Sequence, residues 1–155
     1  MYPASYLGIV TVPSYSLPPE EYQALASFRY AMRKFLRFSK DFLEKQAHLT
    51  PEQYEALLAL RTSSGKQGLL VGELSERLQV RHHTTVALTN KLVERGFVTK
   101  RRGRGDRRQV NVKLTARGET LLERLAAPHR QALCGHSPEI MAALEVLQKR
   151  GPGRS

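Results

Sequence analysis

The chain has 155 residues, 41% of them hydrophobic and 25% charged, a balance that suits one compact unit, or one small domain with helical extensions, with a real core and no room for a second catalytic domain. Lys and Arg number 25 against 14 Asp and Glu, a formal charge of +11, so a polyanion is the first partner to consider, nucleic acid ahead of an anionic membrane surface. A single cysteine, Cys134, builds neither an intrachain disulfide nor a thiolate zinc site, which removes the stapled secreted class and points to a reducing cytoplasm.

Residues 1–16 read as a flexible arm rich in Pro, Tyr and Ser. Its apolar stretch, Leu7 to Val12, lies between Pro3 and Pro13 with no basic region before it, so it does not read as a signal peptide. No run approaches the ~20 apolar residues of a membrane span, and no membrane partner is expected. Leu17-Pro18-Pro19-Glu20-Glu21 then starts a helix, with proline tolerated in the first turn and acids at the positive helix end. Tyr22, Leu25, Phe28, Met32, Phe35, Leu36, Phe42 and Leu43 recur at steps of three and four, which carries this helix to about Ala47. Four of the five phenylalanines, Phe28, Phe35, Phe38 and Phe42, fall on it, too many for one narrow core stripe. With Tyr22 they mark a helix bundle between chains or a ligand pocket, ordinary intrachain core accounting for part of them.

Thr50-Pro51-Glu52-Gln53 places Thr at the N-cap, Pro at the first helical position and Gln where it closes a capping box. That helix carries Tyr54, Leu57, Leu58 and Leu60 and dissolves at Ser63-Ser64-Gly65. A third helix, Gly72 to Leu78, is separated by a short turn from a fourth, about Arg81 to Arg95, closed by Gly96; two helices so joined cross sharply. The period then changes to two. Phe97 to Lys100 and Val110 to Leu114 alternate like strands, with Val110, Val112 and Leu114 on one face and Gln109, Asn111 and Lys113 on the other. The turn between them is rich in Arg and Gly, and Gly103 and Gly105 are expected to supply positive φ at its tip. Thr115 caps a further helix carrying Leu121, Leu122, Leu125 and Leu133, Ser137-Pro138-Glu139 starts a last one, and residues 151–155 fray. The expected fold is therefore mainly α with a small β-hairpin: a winged helix-turn-helix flanked by long N- and C-terminal helices.

Between Arg81 and Arg117 lie eleven basic residues against only Glu94 and Asp106, so this stretch holds +9 of the net charge. Solvated faces ordinarily mix signs, and this excess falls on the helix-turn-helix and hairpin. If Leu88 and Leu92 face the core, then His82, His83, Val86, Ala87 and Asn90 lie on the opposite side of the fourth helix, open to a major groove that admits one helix. There Asn90 suits adenine and Val86 the thymine methyl, Arg81 and Thr84 suit phosphate near the helix start, and Lys91 joins the same candidate surface. Other residues carry less. His82 and His83 point about 100° apart on a helix, and neither they nor His48, His129 and His136 have ligand spacing, so no metal and no cofactor is expected. Cys134 reads as a buried or inert thiol. No phosphate loop, nucleophile elbow or paired carboxylates suggest an enzyme.

Three blocks, Leu92-Val93-Glu94-Arg95-Gly96-Phe97-Val98, Asp106-Arg107-Arg108 and Leu114-Thr115-Ala116-Arg117-Gly118, resemble the MarR (multiple antibiotic resistance regulator) family in residues and in spacing. The resemblance covers about Leu49 to Leu125 and extends over the flanking helices by architecture. It implies a cytoplasmic, homodimeric winged-helix repressor or activator of transcription, often released from DNA by a small aromatic or phenolic ligand or by oxidation. On this reading residues 17–48 and 118–150 are dimerisation helices, residues 49–117 form the DNA-binding lobe, and any effector pocket lies between the two. It further implies that Asp106 braces the wing by pairing with a nearby arginine, that Arg108 enters the minor groove, and that Arg102, Arg104 and Arg107 serve phosphates. The double-stranded DNA site of such a dimer is an inverted repeat. His82-His83-Thr84-Thr85 departs from the Ser and Arg that many relatives carry there, so base preference does not transfer. A non-specific or architectural nucleic-acid binder using the same lobe is the alternative.

Overall fold

The computed structural model describes residues 16–63, 68–106 and 108–149, in the order α1 (Pro19–Ala47), α2 (Pro51–Thr62), β1 (Leu69–Leu70), α3 (Val71–Leu78), α4 (His82–Glu94), β2 (Val98–Arg102), β3 (Val110–Leu114) and α5 (Ala116–Lys149). Two compact units result. One is built on residues 43–127; the other joins the α1 segment up to Phe42 with the α5 segment from Pro128.

Local chemistry sets most boundaries of the first unit. The expected capping box at the start of α2 is present: Gln53 N donates to Thr50 Oγ1 at 3.2 Å and Thr50 N to Gln53 Oε1 at 3.0 Å. Helix α3 ends where Gln79 takes a left-handed conformation with φ 54°, and α4 begins three residues later, completing the helix-turn-helix. Gly96, at φ 75°, ends α4 in the left-handed region that costs glycine least. The sheet has the order β1-β3-β2, all antiparallel, with Val112 of β3 opposite Leu69 on one side and Lys100 on the other. Leu43, Leu49, Leu57, Leu74, Leu92, Val98, Val112 and Leu125 are buried almost completely and form the core of this lobe.

The hairpin and the last helix meet at a tight junction. Thr115 N donates to Phe97 O at 3.1 Å, Thr115 Oγ1 donates to Gly96 O at 2.7 Å, and the same oxygen caps α5 by accepting from Gly118 N at 3.0 Å. Gly118 is pressed against the start of β2: a Cβ there would lie 2.1 Å from Phe97 O. The glycine is required by that backbone approach, not by its dihedral angles.

In the second unit Ala24 and Ala31 of α1 and Ala143 of α5 are buried. Lys34 bridges to Glu139 at 3.2 Å. His129, buried, bonds Ser39 Oγ at 2.9 Å through Nε2, and the rings of Phe35, Phe38 and Phe42 stand edge-on to its imidazole at 5.2–6.5 Å between centroids.

Three expectations change. Helix α5 does not break at Ser137-Pro138-Glu139 but runs on through Pro128 and Pro138. Pro138 lacks the N–H that would bond Cys134 O, and Ser137 Oγ donates to that carbonyl instead at 2.8 Å, so the helix continues. Gly103 and Gly105 do not take left-handed dihedrals; the described glycines that do are Gly68 and Gly96. Strand β1 is an addition, too short at two residues to show alternation.

Gly118→Ala tests the junction with opposing signs. Helix propensity alone favours alanine by up to about 1 kcal/mol, whereas forcing a methyl against the Phe97 carbonyl costs about 1–3 kcal/mol or more. Urea denaturation is expected to show a net loss of stability.

Candidate nucleic-acid interface

Helix α4 is held from beneath by hydroxyl groups. Thr85 and Thr89 are fully buried beside Leu88 and Leu92. Ser75 Oγ of α3 donates to Thr85 Oγ1 at 2.8 Å and Thr85 Oγ1 lies 3.3 Å from Arg81 O, while Thr89 Oγ1 donates to Thr85 O at 2.7 Å. These bonds satisfy every hydroxyl on the buried face, so α4 sits on α3 with no polar group left unpaired there. Sequence reasoning missed both threonines as core, although positions 85, 88, 89 and 92 carry the helical spacing that identifies one face.

The opposite face of α4 is the candidate surface, and the structure brings its residues together. His82, His83, Thr84, Ala87, Asn90 and Lys91 are exposed, Val86 is half-buried, and Arg81 is exposed at the N-cap. Asn90 is not free. Its Oδ1 accepts from Lys100 Nζ of β2 at 2.6 Å, and the same ammonium lies 3.4 Å from Val86 O. Lys100 is half-buried, and desolvation lowers its pKa from the ordinary lysine value. The sequence offered no sign of this link, which joins residues ten apart on different elements.

In the wing, Arg101, Arg102, Arg104, Asp106 and Arg108 are exposed, whereas Arg107 falls outside the described residues. At the wing tip Asp106 bonds the backbone. Its Oδ1 accepts from the backbone N of Arg108 at 2.9 Å and its carbonyl from Gln109 N at 3.1 Å, and among the described residues it forms no ion pair. Gln109 O then accepts from Gly103 N at 2.8 Å, closing the turn. A cleft of about 520 Å³ separates α4 from the wing, with His82, Val86, Lys100, Arg102 and Arg108 among its walls. A second hollow of about 470 Å³ is lined by Thr99, Arg101, Arg102, Arg104, Asn111 and Lys113. Both present cationic side chains, four on the second hollow without a single acid.

Not all of the lobe's positive charge is outward. Arg95 donates from Nη1 to His48 O at 2.9 Å and from Nη2 to Ala47 O at 2.6 Å, capping the negative end of α1. Its guanidinium also lies 4.9 Å from the Phe97 ring centroid, and that of Arg117 5.3 Å from the same ring. These two arginines serve the junction.

In the helical unit Phe28, Phe35, Phe38 and Phe42 are each half-buried and Tyr22 is 53% exposed. Leu25, Tyr30, Leu36, Leu133, Met141 and Leu144 are exposed as well, Tyr30 to 63% and Met141 to 58%. Cys134 is exposed, so of the expected buried or inert thiol the buried alternative does not hold. Among the described residues no three His, Cys, Asp or Glu side chains are grouped for a metal, and no helix is long and apolar enough to cross a membrane.

Residues 49–109, the helix-turn-helix and most of the wing, match the model of the MarR family. The whole-chain fold agrees. It resembles Sco3205, a MarR family transcriptional regulator from Streptomyces coelicolor solved in complex with DNA, with a TM-score of 0.73 at 22% identity over 90% of this chain and 89% of that one. AbsC, a MarR family transcriptional regulator from the same organism, gives a TM-score of 0.71 at 18% identity over 87% and 90% of the two chains. BpsR from Bordetella bronchiseptica, whose DNA binding is regulated by 6-hydroxynicotinic acid, gives 0.63 at 22% identity over 82% and 97%. No protein of curated function matches the chain. In this lobe the three motif blocks hold the end of α4, the wing tip and the Thr115–Gly118 junction.

Replacing Arg95 by Met keeps bulk over Phe97 while removing both bonds to the α1 carbonyls. A loss of about 1–2 kcal/mol is expected in urea denaturation, with Arg95→Lys intermediate because it keeps the charge and loses the fork.

Proposed function

We propose that this chain is a dimeric, sequence-specific transcriptional regulator that reads duplex DNA with α4 in the major groove and the arginine-rich wing in the minor groove. The observation that carries this reading is segregation on one lobe. The buried face of α4 is used up by Leu88, Leu92 and paired hydroxyls, while Arg81, His82, His83, Thr84, Ala87, Asn90 and Lys91 on α4 and Arg102, Arg104 and Arg108 on the wing stand exposed. An architectural binder needs the charge but not a mixed polar and apolar helix face, which favours a reader of base edges.

Within this reading Arg81 and Thr84 hold phosphate at the start of α4, Val86 and Ala87 meet apolar base groups, and Asn90 meets a base edge. Arg102 and Arg104 serve phosphates, and Arg108 enters the minor groove, where narrow A·T-rich stretches attract guanidinium. Arg107 takes the same phosphate role by sequence. The α1 and α5 segments supply the dimer contact, supported by the exposed Tyr22, Tyr30, Leu36 and Met141, which a second copy would cover. A twofold dimer places its half-sites about 34 Å apart, so the DNA site is an inverted repeat. A small aromatic effector acting in the cytoplasm completes the proposal; its support is the half-buried Phe28, Phe35, Phe38 and Phe42 and the regulated DNA binding of BpsR.

The direct experiment compares binding to the DNA upstream of the protein's own gene with binding to random duplex, with and without a panel of aromatic acids. A regulator prefers its site by about 10³ or more at physiological salt, and equal affinities would leave only the architectural reading. Asn90→Ala is expected to cost about 1–3 kcal/mol on the preferred site and little on random duplex. Arg104→Ala is expected to weaken both alike and to reduce the salt slope by about one.

Asp106 gives a test whose sign opposes simple electrostatics. Removing an acid from a DNA-facing surface should tighten binding if only charge matters. Because Asp106 Oδ1 orders the Arg108 backbone, Asp106→Ala is expected to weaken binding, while Asp106→Asn, which keeps the acceptor, retains it. Equal tightening by both variants, measured by fluorescence anisotropy, would remove the bracing role.

A further inference from the structure

Lys100 bonds Asn90 where the wing meets α4, and Lys100 lies on the wall of the cleft that also holds His82, Arg102 and Arg108. An ammonium carries donors and no acceptor, so the amide atom 2.6 Å from Nζ must be the oxygen, and the orientation of the Asn90 amide is decided by chemistry. Its Nδ2 is then the end left for another partner.

This matters for which base the residue favours. Asparagine pairs with adenine through both ends, Oδ1 accepting from the N6 amino group and Nδ2 donating to N7. Here a positive charge sits beside the oxygen, next to where a second donor, the adenine amino group, would have to approach. The ammonium and Nδ2 together offer donors only. The base edge that presents two neighbouring acceptors in the major groove is that of guanine, O6 and N7. We infer that Lys100 sets the base preference of Asn90, making it a donor-only reader that favours guanine over adenine. The inference rests on the proposal that α4 enters the major groove. Lys100 is a positioning residue: it acts through Asn90 and through the field it places there. A plain phosphate contact fits less well, because Lys100 is half-buried and its ammonium is already turned to Asn90 Oδ1 and Val86 O.

The test uses the full-length protein and a duplex recovered from a random library by the wild-type protein. The base pair read by Asn90 is found first, as the position whose preference disappears in Asn90→Ala. Affinities are then measured for the four duplexes differing only at that pair. Wild type is expected to favour guanine over adenine by roughly tenfold or more. Lys100→Met, which keeps the apolar stem, is expected to lose that preference and move toward adenine, and Lys100→Arg, which keeps charge and donors, to hold it. In the double variant Asn90→Ala with Lys100→Met, the position should behave as in Asn90→Ala alone. A wild type that prefers adenine there overturns the inference, and this result needs no variant to fold. Uniform weakening of all four duplexes by Lys100→Met also overturns it, assigning Lys100 to phosphate or to packing. If Asn90→Ala changes no base preference anywhere, the major-groove reading of Asn90 itself fails, an outcome distinct from a Lys100 failure.

Discussion

The approach of α5 to the backbone of Phe97 is the contact on which the winged lobe depends. Within four residues, Thr115 to Gly118, the chain caps α5, hydrogen-bonds the carbonyls of Gly96 and Phe97, and brings a glycine against the Phe97 carbonyl. That point is at once the end of α4, the start of β2, the end of β3 and the start of α5. A side chain at position 118 would push these four elements apart, and the angle between α4 and the wing would go with them. The arginines at 95 and 117 close over Phe97 from the other side, and Arg95 adds the end of α1 to the same joint.

The same residue type therefore does two jobs in one basic stretch. Guanidinium groups at the junction are committed to carbonyls and to an aromatic ring, whereas the described arginines of the wing are exposed, Arg108 on a backbone that Asp106 orders. Charge composition alone does not separate the two. What separates them is the partner: a helix end gathers unpaired carbonyls that draw Arg95, and the wing tip has only its own short turn. Helix α4 is likewise divided along its length, its inner face satisfied by Ser75, Thr85 and Thr89 and its outer face exposed.

Features decided over three or four residues were legible before any coordinates. The Thr50 capping box, the Thr115 cap, the Gly96 stop and the alternation of β3 all follow from local bonds or local periodicity. The helix-turn-helix, the hairpin and the exposed face of α4 followed from them. Features decided by a partner far along the chain were not. Pro138 reads as a helix start until Ser137 is seen bonding the carbonyl that the proline leaves open. Thr85 and Thr89 read as polar until Ser75 and the Thr85 carbonyl supply their bonds. Asn90 reads as free until β2 delivers Lys100, and β1 exists only because β3 offers it an edge.

The central claim, that one rigid basic lobe per subunit reads a base sequence and that two such lobes act together, is tested most directly by half-site spacing. A duplex selected from a random library by the purified protein at physiological salt is expected to contain an inverted repeat with centres about one helical turn apart. Inserting about five base pairs between the halves turns them to opposite faces of the duplex, and affinity should fall to near the level of random DNA. A selected site without symmetry, or an affinity unchanged by the insertion, would contradict the account.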